Sequence, residues 1–263
     1  MRAPAVAGYF YPAEPEVLRA QVTRFLGDAG PASGPVPKAV IAPHAGYVYS
    51  GSTAALAYAA LAPARDRVAR VVLLGPTHRV AVDGLALPEA EELATPLGSL
   101  HAAVPTADER AALPQIVDRA DVHAQEHSLE VHLPFLQVLM PRAEVVPFAV
   151  GRARPGTVAD VLERLWGGPE TVIVVSSDLS HHLSYDEARR RDAQTIAAIT
   201  DLRGPIDHEQ ACGATPVNGL LEVARRRALT ARLLGACNSG DTAGDKRRVV
   251  GYAAVAFDET EPS

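Results

Sequence analysis

The stretch KAVIAPHAGYVYSGSTAALAYAAL, residues 38–61, contains the two patterns on which the predicted fold depends. Residues 38–42 are a short apolar run that predicts a buried strand, and STAALAYAAL predicts a helix whose start Ser52 or Thr53 caps. His44 lies between the two. It is either an ordinary turn residue or a metal ligand or proton carrier at the carboxyl end of a parallel strand, where open α/β sheets build their sites.

The same pattern, an apolar run followed by polar residues that include a histidine, occurs twice more along the chain. ARVVLLGPTH is an apolar run that ends at His78, and TVIVVSSDLSHH ends in Asp178, His181 and His182. Because the carboxyl ends of parallel strands share one edge of a sheet, we expect these side chains to meet. Three such strand ends favour a joint site more than any single histidine would. Of the last two histidines, His182 is the expected bystander.

Strands and helices alternate along the chain, without an obvious linker, repeat or low-complexity segment. This pattern predicts one domain over residues 1–263, of the α/β class: a three-layer α/β/α sandwich around a mostly parallel, mixed central sheet. TARLLGAC and RRVVGYAAVAF have no helix between them, which predicts an antiparallel pair. EHSLEVHLPFLQVLMP has helical spacing, and Pro134 either kinks this helix or lies in its first turn.

Composition narrows the classes of function. The chain has 263 residues, is 48% hydrophobic and carries a formal net charge of −6, so it can bury a substantial core and is poorly suited to nucleic acid or anionic membranes. It lacks a run of 18 apolar residues and a signal-type apolar segment near its start. Two cysteines, Cys212 and Cys237, do not make a disulfide framework. A cytoplasmic protein is expected.

Further carboxylates accompany the histidines in HAQEHSLEVHL, which contains Glu126, His127 and Glu130. On a helix, Glu126 and Glu130 would share a face, as metal-site or acid–base carboxylates do. The segment lacks the HExxH zinc pattern, and carboxylates that hold loops or histidines in place explain it equally well. We expect all three residues around the metal ligands, with Glu126 or Glu130 accepting the free N–H of a ligating imidazole.

Two other segments offer alternatives. The loop in ACNSGDTAGDKRRVVGYAA contains Asp241, and it either delivers a third ligand or is a solvated hairpin loop. Cys212 in ACGATP begins a predicted helix, whose dipole would lower the pKa of a thiol, but a small buried apolar residue is the favoured interpretation. Ser50 is a weak nucleophile candidate because the sequence lacks a G-x-S-x-G elbow.

Eight motifs follow one another from residue 2 to residue 254: RAPAVAGYFYP, APHAGYVYSG, LGPTH, TPLG, EHSLEVHLPFLQ, SSDLSHH, CGATPV and GDKRRVVGYAA. With them the sequence resembles the Memo family, whose bacterial members are called AmmeMemoRadiSam system protein B. The resemblance implies a sandwich like that of the class III extradiol dioxygenases. In those enzymes two histidines and a carboxylate hold Fe(II), and a further histidine acts as acid and base.

Carried over to this sequence, the resemblance makes His44 and His78 the two ligand histidines and His181 the acid–base histidine, with Asp178 beside it. Animal relatives have a cysteine in the loop before the final strand. An ungapped count places Thr242 there, next to Asp241, whose carboxylate would complete a face of two histidines and one carboxylate suited to Fe(II). Iron is therefore the expected ion, with copper, zinc or no bound metal as alternatives.

The resemblance implies three functions of different classes. The first is a redox or metal-handling protein in a pathway with AMMECR1-like and radical-SAM proteins. The second is an extradiol-type dioxygenase that opens a catecholic ring. The third is a non-catalytic module whose pocket receives a peptide or partner protein. The pocket is thus expected to take a small molecule or a peptide.

Overall fold

The computed structural model describes residues 1–31 and 33–260. Its helices are α1 (Pro15–Asp28), α2 (Tyr47–Leu61), α3 (Ala107–Ala111), α4 (Ala120–Ala124), α5 (Leu133–Leu139), α6 (Pro155–Arg164), α7 (Tyr185–Thr200) and α8 (Ala214–Arg226). Its strands are β1 (Ala39–Ala42), β2 (Arg70–Pro76), β3 (Leu85–Leu87), β4 (Glu92–Thr95), β5 (Gly98–His101), β6 (Ile116–Asp118), β7 (Glu144–Val150), β8 (Thr171–Ser176), β9 (His181–Leu183), β10 (Thr230–Asn238) and β11 (Val249–Asp258).

The central sheet has the strand order β10-β11-β1-β8-β2-β7-β3-β6, with β9 paired to β11. Strands β1, β8, β2 and β7 run parallel to their neighbours within this group. Strands β10 and β11 form an antiparallel pair, as the sequence predicted, and β11 also lies antiparallel to β1. The sheet is therefore mixed, with a parallel centre.

Helices cover both faces of this sheet, which confirms the predicted three-layer α/β/α sandwich. Helices α6 and α8 pack on one face, in a core that includes Ile41 and Val175. Helices α1, α2 and α5 pack on the other, against Val40 and Val174. Because successive residues of a strand point to opposite faces, a strand covered on both sides must be apolar throughout, which explains the uninterrupted apolar runs.

The structure corrects one prediction, the start of α2, and decides between the two alternatives for Pro134. Helix α2 begins at Tyr47 and not near Ser52, because the backbone N–H of Tyr47 donates to the carbonyl of Phe10 and Gly46 forms the N-cap. Pro134 lies in the first turn of α5, where its missing N–H costs no helical hydrogen bond.

The arrangement of the parallel strands determines where the site lies. Strand β8 lies between β1 and β2, and Ala42 at the end of β1 is in register with Ser176 at the end of β8. The segments that follow these three strands therefore emerge together at one edge of the sheet. None of the helices in residues 1–31 and 33–260 combines the length and the apolar composition needed to cross a membrane.

Candidate metal centre

His44 follows strand β1 and is almost completely buried, with 2% of its surface exposed. Its backbone N–H donates to Oδ1 of Asp178 at 2.7 Å, and its Nδ1 lies 2.6 Å from the hydroxyl of Ser176. Both partners come from the end of β8 or the segment after it. The neighbouring parallel strand therefore holds the backbone and the ring of His44 from two sides.

His78 follows strand β2 and is held by one carboxylate. Its backbone N–H donates to Oε2 of Glu126 at 2.5 Å, and its Nδ1 lies 2.8 Å from Oε1 of the same residue. An ionised carboxylate only accepts hydrogen bonds, so the ring proton of His78 lies on Nδ1. In the neutral form of this imidazole, the free lone pair is on Nε2.

His127 lies between α4 and the 3₁₀ turn Glu130–His132, directly after Glu126. Its backbone N–H donates to Oε1 of Glu126 at 2.9 Å, and its Nδ1 is 3.5 Å from the same oxygen. Its ring stacks on that of His78 at a centroid distance of 4.6 Å, and Phe10 packs against it at 4.7 Å. Glu126 thus connects two of the three histidines.

The three histidines form a group that can hold a metal ion. Each of His44, His78 and His127 offers one ring nitrogen, and these three nitrogens all lie within 4.8 Å of one another. Burial, then repulsion from neighbouring histidines, keeps the pKa of His44 well below its usual value, and burial lowers the pKa of His127 to about 4. At neutral pH these two imidazoles are uncharged, the state in which they coordinate metals. The donor set therefore fits a transition metal.

Glu126 remains ionised although it is buried. Burial on its own would raise its pKa, but the hydrogen bonds and charge of His78, together with the N–H of Ser128, outweigh it and lower the pKa to about 2. A carboxylate in this state is a permanent acceptor for imidazole N–H groups. Such contacts orient metal-binding histidines and increase the basicity of their free nitrogen.

Asp178 lies beside His44. Oδ2 of Asp178 is 4.0 Å from Nε2 of His44. Burial raises the pKa of Asp178 to about 6, against the opposing hydrogen bond from the N–H of His44. His181 is exposed, its Nδ1 donates to the carbonyl of Leu179 at 2.8 Å, and its charge acts on the pKa values of both His44 and Asp178. Asp178 thus contacts His44 directly, whereas no hydrogen bond joins His181 to His44 within the described residues.

Other residues singled out in the sequence are placed elsewhere. Glu130 accepts hydrogen bonds from Arg2, Tyr11 and the backbone N–H groups of residues 5 and 6, so it holds the amino-terminal segment and not a ligating histidine. Asp241 accepts from the hydroxyl of Tyr185 and from the backbone N–H of Asn238. Its carboxylate completes a capping box with Asn238, the N-cap of the 3₁₀ turn Ser239–Asp241, and it is not in the histidine group.

Thr242 follows that turn, and its hydroxyl donates to the carbonyl of Ser239. His182 is exposed and adopts a positive φ of 63°. Neither residue contributes to the metal-binding group found among the described residues.

The sequence analysis does not predict the role of two residues in this site, His127 and Cys212. His127 was expected around the ligands, and it offers a ligand nitrogen itself. Its only sequence signal is that it follows Glu126. Cys212, interpreted as a small buried residue, has its Sγ 3.2 Å from Nε2 of His44. No local pattern connects two residues separated by 168 positions.

A cavity of about 220 Å³ opens beside the histidine group. His78 and Cys212 line it, together with Arg152, His208 and Thr215. Burial, and then the charge of Asp178, raise the pKa of the Cys212 thiol, which therefore stays protonated at neutral pH. Of the three histidines of the group, His78 is the one that lines this cavity.

A family model and several known proteins match nearly the whole chain. The family model described as Memo-like protein matches residues 2–256. A MEMO1 family protein of Methanosarcina acetivorans is 38% identical, covering 97% of this chain and 98% of the relative. MEMO1 family proteins of Archaeoglobus fulgidus and Sulfolobus acidocaldarius are each 34% identical, covering 98% of this chain and 99% of each relative. These names state no reaction.

Proposed function

This chain belongs to the Memo family, and we propose that it binds a divalent transition-metal ion through the imidazoles of His44, His78 and His127. The observation that carries the proposal is the convergence of one ring nitrogen from each residue within 4.8 Å. Ser176 and Glu126 hold Nδ1 of His44 and of His78, so each ring would offer Nε2, which in His44 also contacts the thiol of Cys212.

Iron(II) is the ion that we propose. Imidazole nitrogen suits iron, zinc and copper, and the family resemblance favours iron among them. Three protein ligands leave coordination positions open for a small molecule, which the cavity beside His78 would admit. A bound ion would supply Lewis acidity and one-electron chemistry at this position. The chain itself would orient the ligand rings and hold a proton at Asp178 or His181.

An extradiol-type dioxygenase is the second candidate, and the position of Asp178 beside His44 favours it. Burial raises the pKa of this carboxyl toward neutral pH, which is the direction that a general acid or base requires. We expect oxygen uptake with a catecholic substrate and Fe(II), and its loss in His181→Ala. Absence of oxygen uptake across a broad series of catechols would reject the dioxygenase function and would leave the proposal of metal binding unaffected.

The family resemblance also suggests a cellular context. We propose that AMMECR1-like and radical-SAM proteins act in the same pathway as this chain. A small molecule or a peptide would occupy the cavity. Co-purification with such a partner, compared between the native protein and the histidine variants, would separate a metal-dependent role from a docking role.

The decisive experiment measures metal content and affinity under anaerobic conditions. We expect the native protein to bind one equivalent of Fe(II) and the double variant His44→Ala, His78→Ala to bind none. His101→Ala is the matched control, because this exposed histidine of β5 hydrogen-bonds to the backbone carbonyl of Glu91 and is not a member of the histidine group. Equal binding by the native protein and the double variant would reject the site.

A further inference from the structure

A buried chain of hydrogen bonds leads from His44 into the core. The hydroxyl of Ser176 lies 2.6 Å from Nδ1 of His44 and 2.8 Å from Nε2 of His132. Nδ1 of His132 lies 2.9 Å from the hydroxyl of Tyr58, on helix α2. His132, Ser176 and Tyr58 have no exposed surface. Their hydrogen bonds therefore have to be satisfied by other buried groups of the protein.

The positions of the protons follow from the partners of Ser176. Its hydroxyl also lies 2.6 Å from the carbonyl oxygen of Ser128, which can only accept. The single proton of Ser176 therefore points to Ser128, and both imidazoles must donate to the Ser176 oxygen. It follows that His44 carries its proton on Nδ1, whereas His132 carries its proton on Nε2.

The far end of the chain agrees with this assignment. A neutral His132 with its proton on Nε2 has a bare Nδ1, which needs a donor, and the hydroxyl of Tyr58 supplies one. Burial lowers the pKa of His132 to about 3 and keeps the pKa of Tyr58 well above its usual value. His132 is therefore neutral, and Tyr58 retains its proton to donate.

The opposite tautomer of His44, with its proton on Nε2, would cost at least one buried hydrogen bond. A bare Nδ1 would face the Ser176 oxygen, whose proton is directed at Ser128, so two acceptors would lie 2.6 Å apart without a proton between them. Turning the Ser176 proton toward His44 would leave the Ser128 carbonyl without its donor from Ser176. Buried groups that lose their partners in this way are costly.

We propose that Ser176, His132 and Tyr58 are positioning residues that hold His44 in the Nδ1–H tautomer, so that Nε2 faces the metal centre with a free lone pair. The proposal deepens the metal-binding function and rests on it. The 3.2 Å contact between Nε2 and the protonated thiol of Cys212 agrees with it, because a thiol donor requires a bare nitrogen.

The first test needs no metal. In ¹⁵N-resolved spectra of the apoprotein, we expect His44 to show a protonated Nδ1 and an unprotonated Nε2. In Ser176→Ala this pattern should be lost, and affinity for Zn²⁺, a diamagnetic probe, should fall about tenfold to a hundredfold. A protonated Nε2 in the native protein would overturn the proposal, as would an unchanged tautomer and affinity in Ser176→Ala.

A second variant serves if Ser176→Ala fails to fold. Tyr58→Phe removes only the outermost hydroxyl and keeps the ring, which stacks on Phe135 at a centroid distance of 4.9 Å. We expect a mixed His44 tautomer and a loss of Zn²⁺ affinity of about twofold to fivefold. Tyr47→Phe is the matched control, since it also removes a buried hydroxyl of α2 but one that donates to the carbonyl of Val131.

The outcomes separate the two proposals. Equal Zn²⁺ affinities in Tyr58→Phe and Tyr47→Phe, with an unchanged His44 spectrum, would count against the positioning role. Native protein that binds neither Zn²⁺ nor Fe(II) would reject the metal-binding function. In that case the spectrum of His44 would still decide whether the chain of hydrogen bonds selects its tautomer.

Discussion

Glu126 and His78 contact each other twice, through the backbone N–H and through Nδ1 of the histidine, at 2.5 and 2.8 Å. The two oxygens of one carboxylate therefore fix both the main chain and the ring of His78. Glu126 also accepts from the backbone N–H groups of His127 and Ser128. Its carboxylate therefore contacts two of the three histidines of the group, His78 and His127.

Glu126→Gln should weaken metal binding about tenfold to a hundredfold, the usual effect of removing the partner of a metal-binding histidine. Glutamine has one accepting oxygen and an NH₂ group, which would oppose one of the N–H donors that Glu126 satisfies. Zn²⁺ affinity, measured by competition with a chelator of known affinity, checks this expectation.

Glu130→Gln is the control for that measurement. It disrupts a buried ion pair with Arg2, so the free energy of unfolding should fall by about 3 kcal/mol. Metal affinity should stay at the native value, because Glu130 contacts the amino-terminal segment and Tyr11. If both variants lost affinity equally, general destabilisation and not the contact to His78 would be responsible.

Cys212→Ala should tighten metal binding about twofold to fivefold. The thiol of Cys212 lies 3.2 Å from Nε2 of His44 and occupies the lone pair that a metal would use, so binding must break this weak hydrogen bond. Cys212→Ser keeps a donor at this position and should not show the gain. A tenfold loss of affinity in both variants would instead identify Cys212 as a ligand.

Asp241→Asn should leave metal affinity within about twofold of the native value, because the carboxylate is occupied by Tyr185 and the N–H of Asn238. This variant tests the ligand role that the sequence suggested for Asp241. Titration with Fe(II) and Zn²⁺ is the measurement. A loss comparable to that of His44→Ala would return Asp241 to the ligand set.

His123 should make the fold sensitive to acid. Burial, opposed by the bond to the Ala86 carbonyl, lowers its pKa from 6.5 to about 4, while the charges of Arg2 and Glu126 act in opposite directions. The unfolded chain therefore binds a proton below pH 6.5 that the folded protein does not bind until about pH 4. The contribution of His123 to the free energy of unfolding is fully present above pH 6.5 and is lost as the pH falls toward 4.

His123→Gln removes this titration but keeps a donor for the Ala86 carbonyl. Between pH 7 and pH 5, the native protein should lose about 2 kcal/mol more unfolding free energy than the variant. Urea denaturation with a chelator present, at several pH values, measures the difference. Parallel curves for the two proteins would show that His123 does not carry the effect.

Local patterns were enough to predict the α/β sandwich, because strands covered on both faces must be apolar throughout and each such run stands out in the sequence. The same reasoning placed His44 and His78 after strands whose ends share one edge. It could not assign roles within HAQEHSLEVHL, since most of that segment is not helical: Glu126 lies beyond α4, and Glu130 lies in a 3₁₀ turn. The two carboxylates therefore serve different parts of the molecule.

The sequence by itself determined the fold class, the family resemblance and the strand-end histidines, because each depends on short-range periodicity or on ordered motifs. Only the tertiary structure decided that His127 joins His44 and His78, that Cys212 reaches Nε2 of His44, and that Asp241 accepts from the hydroxyl of Tyr185. These contacts depend on strand order and side-chain direction. Both are set by packing between segments that lie far apart in the chain, and no local pattern of residues records them.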